Sequence, residues 1–519
     1  MGEKASRTES EFRLLPILVL VLGIILSGYQ LLQVKNGVFY SGDGGLKYLM
    51  VEQFARGDVS AALHLEAPEW VEEIWDAGLY PFGPPYLYYS ASGHIPVFPI
   101  LFQILSVPFF ALLGYKGLYV IPVVALWLLW WRFAATLRAI GVGGIAISFG
   151  LAALIFASPL TLYGAMFWEF TLAALLVFLG VEFTLRTAHH GFPVGRAILF
   201  GVLTSLSTWL RPEAFLVVLP LLVCLLVVYV RDRKREIPFF IAGSVAAIIA
   251  LLVVNQILYG HPLSARSLQV LGSKSLGERA QTAIRLFWVL HLYLFSKFPV
   301  MFGFLLAIPF LLRSQKRSGV LILVGVAIFF FLAVPFILPN DGGKQWGPRY
   351  LLIAIPMIAA ACAAQLDAIM EGGRLWMKAV CWVLFLALFG LGAVSNTYGG
   401  GRHLAKDYAN RIYPALQELK HTDLEHIVVL DQTIALELAT THKRRIFLWA
   451  RSQEDLQRTV ALLRQNGVHE FLYLTLPGMI QKEGRVSWWD DDVGLYTLYL
   501  TSYGVHGGYE FFGAVVRGY

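Results

Sequence analysis

A polytopic α-helical membrane body of about eleven spans, followed by a C-terminal extracytoplasmic α/β domain, is the fold class this sequence predicts. Three observations predict it. The 519-residue chain is 57% hydrophobic and only 14% charged, with a mean hydropathy of +0.64. Apolar runs of membrane length, roughly 20 residues each, recur from Leu14 to about Val394. Beyond Asn396 charged residues return every few positions, so 1–395 reads as a membrane domain and 396–519 as a soluble α/β domain.

The basic segment Met1 to Arg13 precedes an apolar run too long for a signal-peptide core, which reads as a retained first span. The expected spans are approximately 14–34, 117–136, 144–165, 169–186, 196–210, 212–230, 237–258, 298–313, 318–338, 349–367 and 376–394. A large first external loop fills 35–95. Orientation turns on Ile95 to Gly114, an apolar segment that carries Pro96, Pro99 and Pro108. As a span it would place four successive basic loops outside: Arg132/Arg138, Arg186/Arg196, Arg231 to Arg235, and Arg313/Lys316/Arg317. Read as a helix lying at or re-entering the outer face, it puts all four inside, as the positive-inside rule requires. The N-terminus is then cytoplasmic and the tail external, in a prokaryotic plasma or inner membrane.

The net charge of +7 lies largely in those loops and calls for no nucleic-acid partner. Cys224, Cys362 and Cys381 all sit in apolar runs, so the tail has no cysteine for a disulfide or a metal cluster. The tail alternates expected helices (403–420, 433–440, and one starting at Ser452 with Asp455 three positions on) with strands (427–430, 445–450, 470–475, 495–502, 509–517). Asp431 ends a strand, where open sheets favour ligands. Asp490 to Asp492 read as a solvated acidic turn, with calcium binding the alternative.

Four external stretches resist a hydropathy explanation. In the first, Asp43 stands in Ser41-Gly42-Asp43-Gly44-Gly45-Leu46-Lys47-Tyr48, just past the first span, and the loop ends in a Pro- and Tyr-rich run reaching His94. Glycines around Asp43 keep bulk away and let the backbone turn sharply, so that the carboxylate can meet a ligand. Glu169 lies in Met166-Phe167-Trp168-Glu169-Phe170, and Arg211-Pro212-Glu213 joins two spans. The fourth stretch runs Asn340 to Tyr350 and holds Lys344, Trp346, Arg349 and Tyr350. Acids beside cations at one membrane face suit transfer of a group from a phosphate leaving group. Arginine forks grip phosphate oxygens, and a carboxylate takes the proton of an attacking hydroxyl.

The acid after the first span (Asp43), the proline-rich end of the first loop, the acid early in the second external loop (Glu169) and Gly342-Gly343-Lys344-Gln345-Trp346-Gly347-Pro348-Arg349-Tyr350 before a span resemble the GT-C fold glycosyltransferases. These are integral membrane enzymes that use polyprenyl-phosphate-linked sugars on the non-cytoplasmic side. The likeness is to uncharacterised branches more than to oligosaccharyltransferases or aminoarabinose transferases. Trp488-Trp489-Asp490 does not stand in the usual setting of the oligosaccharyltransferase acceptor motif, which puts protein N-glycosylation in doubt. The resemblance implies inverting transfer of a sugar to an acceptor hydroxyl, with Asp43 as general base. It gives Arg349, Arg211 and Lys344 to the donor phosphate, and Glu169 and Glu213 to orienting the acceptor or helping to hold a divalent cation. Lys47, Tyr48, His94, Trp346 and Tyr350 complete the candidates. The implied partners are a polyprenyl-phosphate-linked donor, membrane lipid, and an acceptor that is lipid, polysaccharide or protein.

Each candidate also has a plainer reading. Asp43 can cap a helix, Glu169 can sit solvated among headgroups, Arg211-Pro212-Glu213 can be an interfacial turn, and Arg349 can anchor anionic lipid. As a whole the chain can instead be read as a lipid or solute transporter or flippase. A transporter tends to place its charges near the midplane on broken helices, whereas these gather at one surface.

Overall fold

The computed structural model describes residues 2–90, 93–189, 191–263, 275–303, 305, 317–372, 374–479, 484–490 and 494–518. These residues divide into two compact units. Unit 1 holds residues 1–32 and 119–403, and unit 2 joins residues 33–118 to 404–519. The chain therefore leaves unit 1 after its first helix, builds part of unit 2, and returns to unit 2 only at its C-terminal end.

Unit 1 is helical. Among the described residues eight helices are long and apolar enough to cross a membrane, or nine if the bent pair Gly144–Phe156 and Pro159–Ala165 is one span. Two further segments of the expected eleven account for most of the difference. Val194–Leu210 is an apolar helix of 17 residues, short for a full crossing. Most of 298–313 lies outside the described residues.

Small residues set one close helix pair in this unit. A Cβ on Gly201 would lie 2.1 Å from the Phe240 carbonyl oxygen, and one on Gly243 would lie 2.4 Å from that of Ile198. Helices Val194–Leu210 and Glu236–Tyr259 thus cross with backbones in contact, as small-residue interfaces allow in membranes. Ser244 Oγ donates to the Gly201 carbonyl at 3.1 Å across the same crossing. A buried charge also lies within a span: Glu182, in Phe170–His189, accepts from Arg132 Nε at 2.8 Å and from Arg186 Nη1 at 3.0 Å. Both arginines come from the expected basic loops, and Glu182 gives them a shared anchor.

Leu276–Lys297 is a helix for which the sequence reading carried no expectation. It begins with a capping box in which Ser275 Oγ accepts from Glu278 N at 3.3 Å and the Glu278 carboxylate accepts from Ser275 N at 2.8 Å.

Unit 2 combines the first loop with the tail. The loop supplies helix Gly42–Ala55, helix Glu69–Ile74, strands β1 (Leu87–Ser90) and β2 (Gly93–Pro96) in an antiparallel pair, and helix Leu101–Leu113 packed on Gly42–Ala55. The tail supplies β3 (His426–Val429), β4 (Ile446–Trp449), β5 (Glu470–Thr475), β6 (Gly484–Asp490), β7 (Gly494–His506) and β8 (Tyr509–Gly518). Their order is β4-β3-β5-β8-β7-β6. The first three are parallel and the last three antiparallel to their neighbours, so half the sheet is wound as an α/β unit and half as a meander. Helix Gln453–Gln465 starts at Ser452, whose hydroxyl accepts from Asp455 N at 3.1 Å. The expected helix over 403–420 is present, Gly401–Asp407 and Tyr413–His421 running on through one wide helical turn at Tyr408–Ile412.

The glycines beside Asp43 have a different role from the one the sequence suggested. Gly42, Gly44 and Gly45 are helical, not a sharp turn. A Cβ on Gly45 would stand 1.8 Å from the Leu436 carbonyl oxygen, and one on Gly42 would stand 2.9 Å from Leu436 Cβ. They are contact glycines that seat the first-loop helix on the tail segment Gln432–Glu437.

Candidate functional site

The candidates fall into two groups, one in each unit. In unit 1, Arg211 closes helix Val194–Leu210 with an extended backbone, and Pro212–Ala214 begins the next turn. That kink turns Arg211 and Glu213 toward each other. Arg211 Nε donates to Glu213 Oε1 at 2.8 Å, and its Nη1 donates to Glu169 Oε1 at 3.0 Å. All three side chains are at most 3% exposed. One guanidinium between two carboxylates is a charge-assisted bridge shielded from water, where such bonds are strong and a lone charge is costly.

Aromatic faces complete the group. The Arg211 guanidinium lies 4.3 Å from the Phe170 ring and 5.4 Å from the Tyr350 ring. Arg349 also lies 5.4 Å from Tyr350, and 5.3 Å from Trp168. Tyr350 is thus flanked by both cations. Tyr350 and Glu213 are buried, whereas Arg349 is only partly covered.

Arg349 is presented by a tight loop. Gly342, Gly343 and Gly347 have φ of 109°, 63° and 75°, a region only glycine enters without strain. Gln345 Oε1 accepts from Arg349 N at 3.0 Å while its Nε2 donates to the Asp341 carbonyl at 2.6 Å. Lys344 is half-buried on this loop. Trp346 faces elsewhere: its Nε1 donates to Asn396 Oδ1 at 3.1 Å, and Lys297 Nζ sits 3.7 Å over its ring. Asn396 Nδ2 in turn donates to the Lys297 and Gly392 carbonyls at 2.6 and 2.9 Å.

In unit 2, Asp43 lies in the first turn of helix Gly42–Ala55 and is 7% exposed. Ser41 is the N-cap, yet its side chain makes no cap bond. Its hydroxyl is buried and has no hydrogen-bond partner among the described residues. Lys47, four residues after Asp43 and so on the same helix face, is 1% exposed with Nζ 4.5 Å from the Phe98 ring. Tyr48 donates its hydroxyl to Glu52 Oε1 at 2.9 Å. Burial first, and then the Glu52 carboxylate, push the Tyr48 phenol well up, so it stays protonated. His94 stands apart on β2, stacked on Tyr80 at 3.7 Å. Asp431 is the N-cap of helix Gln432–Glu437, its carboxylate accepting from Thr433 N at 2.8 Å, which accounts for it without a ligand.

Comparison with solved structures places this architecture. A crystal structure of ArnT from Cupriavidus metallidurans bound to undecaprenyl phosphate aligns with a TM-score of 0.55 at 13% identity, over 96% of this chain and 97% of that one. Its apo form gives 0.53 at 11% identity over the same shares.

The chain has the GT-C fold.

An oligosaccharyltransferase from Archaeoglobus fulgidus, solved in complex with Zn and sulfate, aligns to this GT-C chain with a TM-score of 0.51 at 13% identity, over 89% of this chain and 68% of that one. No family model and no curated protein sequence matches the chain. At these identities the likeness speaks for the fold of an integral membrane protein, and the chemistry has to be argued from the chain's own residues.

A divalent cation was one expectation for Glu169 and Glu213. Both acids are already bridged by Arg211, and no group of three His, Cys, Asp or Glu that could hold a metal ion occurs among the described residues. This donor set does not fit a metal centre, and no step is routed through one.

Sequence reasoning missed Ser41, Lys297 and Asn396. Ser41 stands two residues before Asp43, and an uncapped serine there was a readable signal. Lys297 and Asn396 each act on Trp346 across roughly 50 positions of sequence, which no local pattern discloses.

Proposed function

We propose that this protein is an inverting glycosyltransferase that moves a sugar from a polyprenyl-phosphate-linked donor to an acceptor hydroxyl on the extracytoplasmic face. The observation that carries the reading is Arg349: a partly covered guanidinium near the Trp168 and Tyr350 rings, beside the buried triad whose Arg211 lies 5.4 Å from the same Tyr350 ring. It is a cation presented on a rigid loop, with donors in the fork geometry that phosphate accepts. The fold it shares with ArnT, solved bound to undecaprenyl phosphate, supports a lipid phosphate as its ligand.

In this reading Arg349, with Lys344 on the same loop, holds the donor phosphate. Arg211 is a positioning residue, because its charge is committed to Glu169 and Glu213. Asp43 is the general base. It takes the proton of the acceptor hydroxyl as that oxygen bonds to the anomeric carbon. The bond from that carbon to the phosphate oxygen breaks, and polyprenyl phosphate leaves with the electron pair and one additional negative charge, which the Arg349 cation stabilises. The soluble α/β portion, 396–519, and the first loop, 35–95, belong on the outer side, with the N-terminus cytoplasmic.

Native mass spectrometry of the purified full chain with undecaprenyl phosphate tests the phosphate site. Wild type is expected to retain the lipid, and Arg349→Gln to weaken it by about tenfold to a hundredfold, the worth of a charge-assisted bond. Equal retention by both would remove Arg349 from the site.

A further inference from the structure

A cavity lies wholly within unit 2, with a volume of about 360 Å³. That falls in the range of small-ligand pockets, roughly 300–1,000 Å³. It opens between strand pair β1–β2 and the end of β4, its lining does not include Asp43, and the roles proposed above make no use of it.

Its walls are aromatic and held in fixed planes. Trp75 Nε1 donates to the Phe447 carbonyl at 3.1 Å and Trp449 Nε1 to the Leu430 carbonyl at 3.3 Å. A Cβ on Gly83 would stand 2.8 Å from Trp449 Cζ3, so glycine there lets the indole lie against the backbone. Gln432 clamps that turn from the tail, accepting from Gly83 N at 2.8 Å and donating to the Pro84 carbonyl at 3.0 Å. Tyr89, 78% exposed, stands at the mouth, edge-on to His94 at 5.3 Å.

The polar groups are few and convergent. His94 lies flat on Tyr80 and its ring makes no hydrogen bond among the described residues. Burial by the aromatic wall holds its pKa below the ordinary value, against the pull of Asp76. Asp76 is exposed and has no ion pair among the described residues. Arg451 covers the Trp449 ring at 4.7 Å and donates to the Gly78 carbonyl at 3.1 Å. Arg451 Nε also lies 3.5 Å from Asp455 Oδ2, so its charge is already matched and no surplus cation faces an anionic ligand.

We propose that this cavity binds a neutral pyranose, as a free sugar or as the terminal unit of a glycan. Tyr89 offers a flat face to the apolar side of the ring beside the Arg451-covered Trp449 indole, while Asp76, His94 and Arg451 bond its hydroxyls. A wholly apolar ligand would leave those polar groups unpaired. The site stands independently of Asp43 and Arg349, and its occupant carries no phosphate.

Saturation-transfer NMR on the purified full chain, with free glucose, galactose, mannose and N-acetylglucosamine and with no lipid donor, tests it. At least one sugar is expected to receive saturation at its ring protons. Tyr89→Ala, which removes an exposed ring and should leave thermal unfolding unchanged, is expected to weaken that binding by about tenfold. Saturation of none of the four sugars, or equal binding by Tyr89→Ala, would overturn the proposal. Because no donor is present, either result leaves the transferase reading standing on its own test.

Discussion

Arg211 and Glu169, 42 residues apart in sequence, meet at 3.0 Å with 3% of each side chain exposed. Glu213 joins them from two residues away. The group has one cation for two anions, so its stability depends on the guanidinium far more than on either acid alone.

Replacing Arg211 by Met should therefore unfold unit 1 more readily than any single change to its acids. Stranding two carboxylates out of water is worth about 3–5 kcal/mol of destabilisation. The triple change Arg211→Met, Glu169→Gln, Glu213→Gln should recover part of that loss, because no charge is left unpaired. Thermal unfolding in detergent measures both. A triple variant no more stable than Arg211→Met would mean that the triad is held by shape and not by charge.

Gly45→Ala is expected to destabilise unit 2 by about 1–3 kcal/mol or more, the range for overpacking. Alanine is the better helix former by up to about 1 kcal/mol. The Cβ, however, would meet the Leu436 carbonyl oxygen at 1.8 Å, and backbone does not yield cheaply. Gly28→Ala, where nothing lies within 4 Å, is the control and should be neutral or stabilising. Proteolysis of the segment around Leu436 reads the difference, and a Gly45→Ala chain as resistant as wild type would refute the seating contact.

His442 sets a pH dependence in unit 2. Its ring is stacked on Phe447 at 4.3 Å and tilted against Phe82 at 5.4 Å, and that burial pushes its pKa down to about 4. The folded state then binds fewer protons than the unfolded state between pH 6.5 and 4. Stability is full above 6.5, falls as pH drops through that window, and levels below it. Solvent reaching the ring edge trims the loss to about 2 kcal/mol. His442→Gln should flatten the unfolding profile of unit 2 between pH 7 and 4. An unchanged slope would assign it to other groups.

Much of this was legible in the sequence where one local signal suffices. Strand β5 falls on 470–475 as read, and Ser452 caps its helix as read, because a short continuous apolar run and a capping serine act within a few residues. Glu169, Arg211 and Glu213 were noticed because charges at span ends are rare. Leu276–Lys297 escaped because Glu278, Arg279, Arg285 and Lys297 dilute its hydropathy, although Ser275 and Glu278 spelled its capping box. The glycines around Asp43 were seen but misread: glycine serves close approach as well as turns, and only the position of Leu436 decides between them.

The site was legible as residue types and not as roles. Arg211 and Arg349 look alike in sequence, but tertiary packing buries one between two acids and leaves the other partly covered over Trp168. Trp346 was among the site candidates, yet Asn396 and Lys297 occupy its indole edge and face.

Asp43 as the base in sugar transfer is checked by donor turnover in wild type and Asp43→Asn. Both chains are purified in detergent and given a panel of polyprenyl-phosphate sugars, with donor consumption, including slow hydrolysis, and donor binding followed together. The account predicts that wild type consumes at least one donor, and that Asp43→Asn still binds it but turns it over at least about a hundredfold more slowly, the lower range for general-base catalysis. Equal turnover by both chains would remove Asp43 as the base, and no donor consumed by wild type would make transport the better starting point.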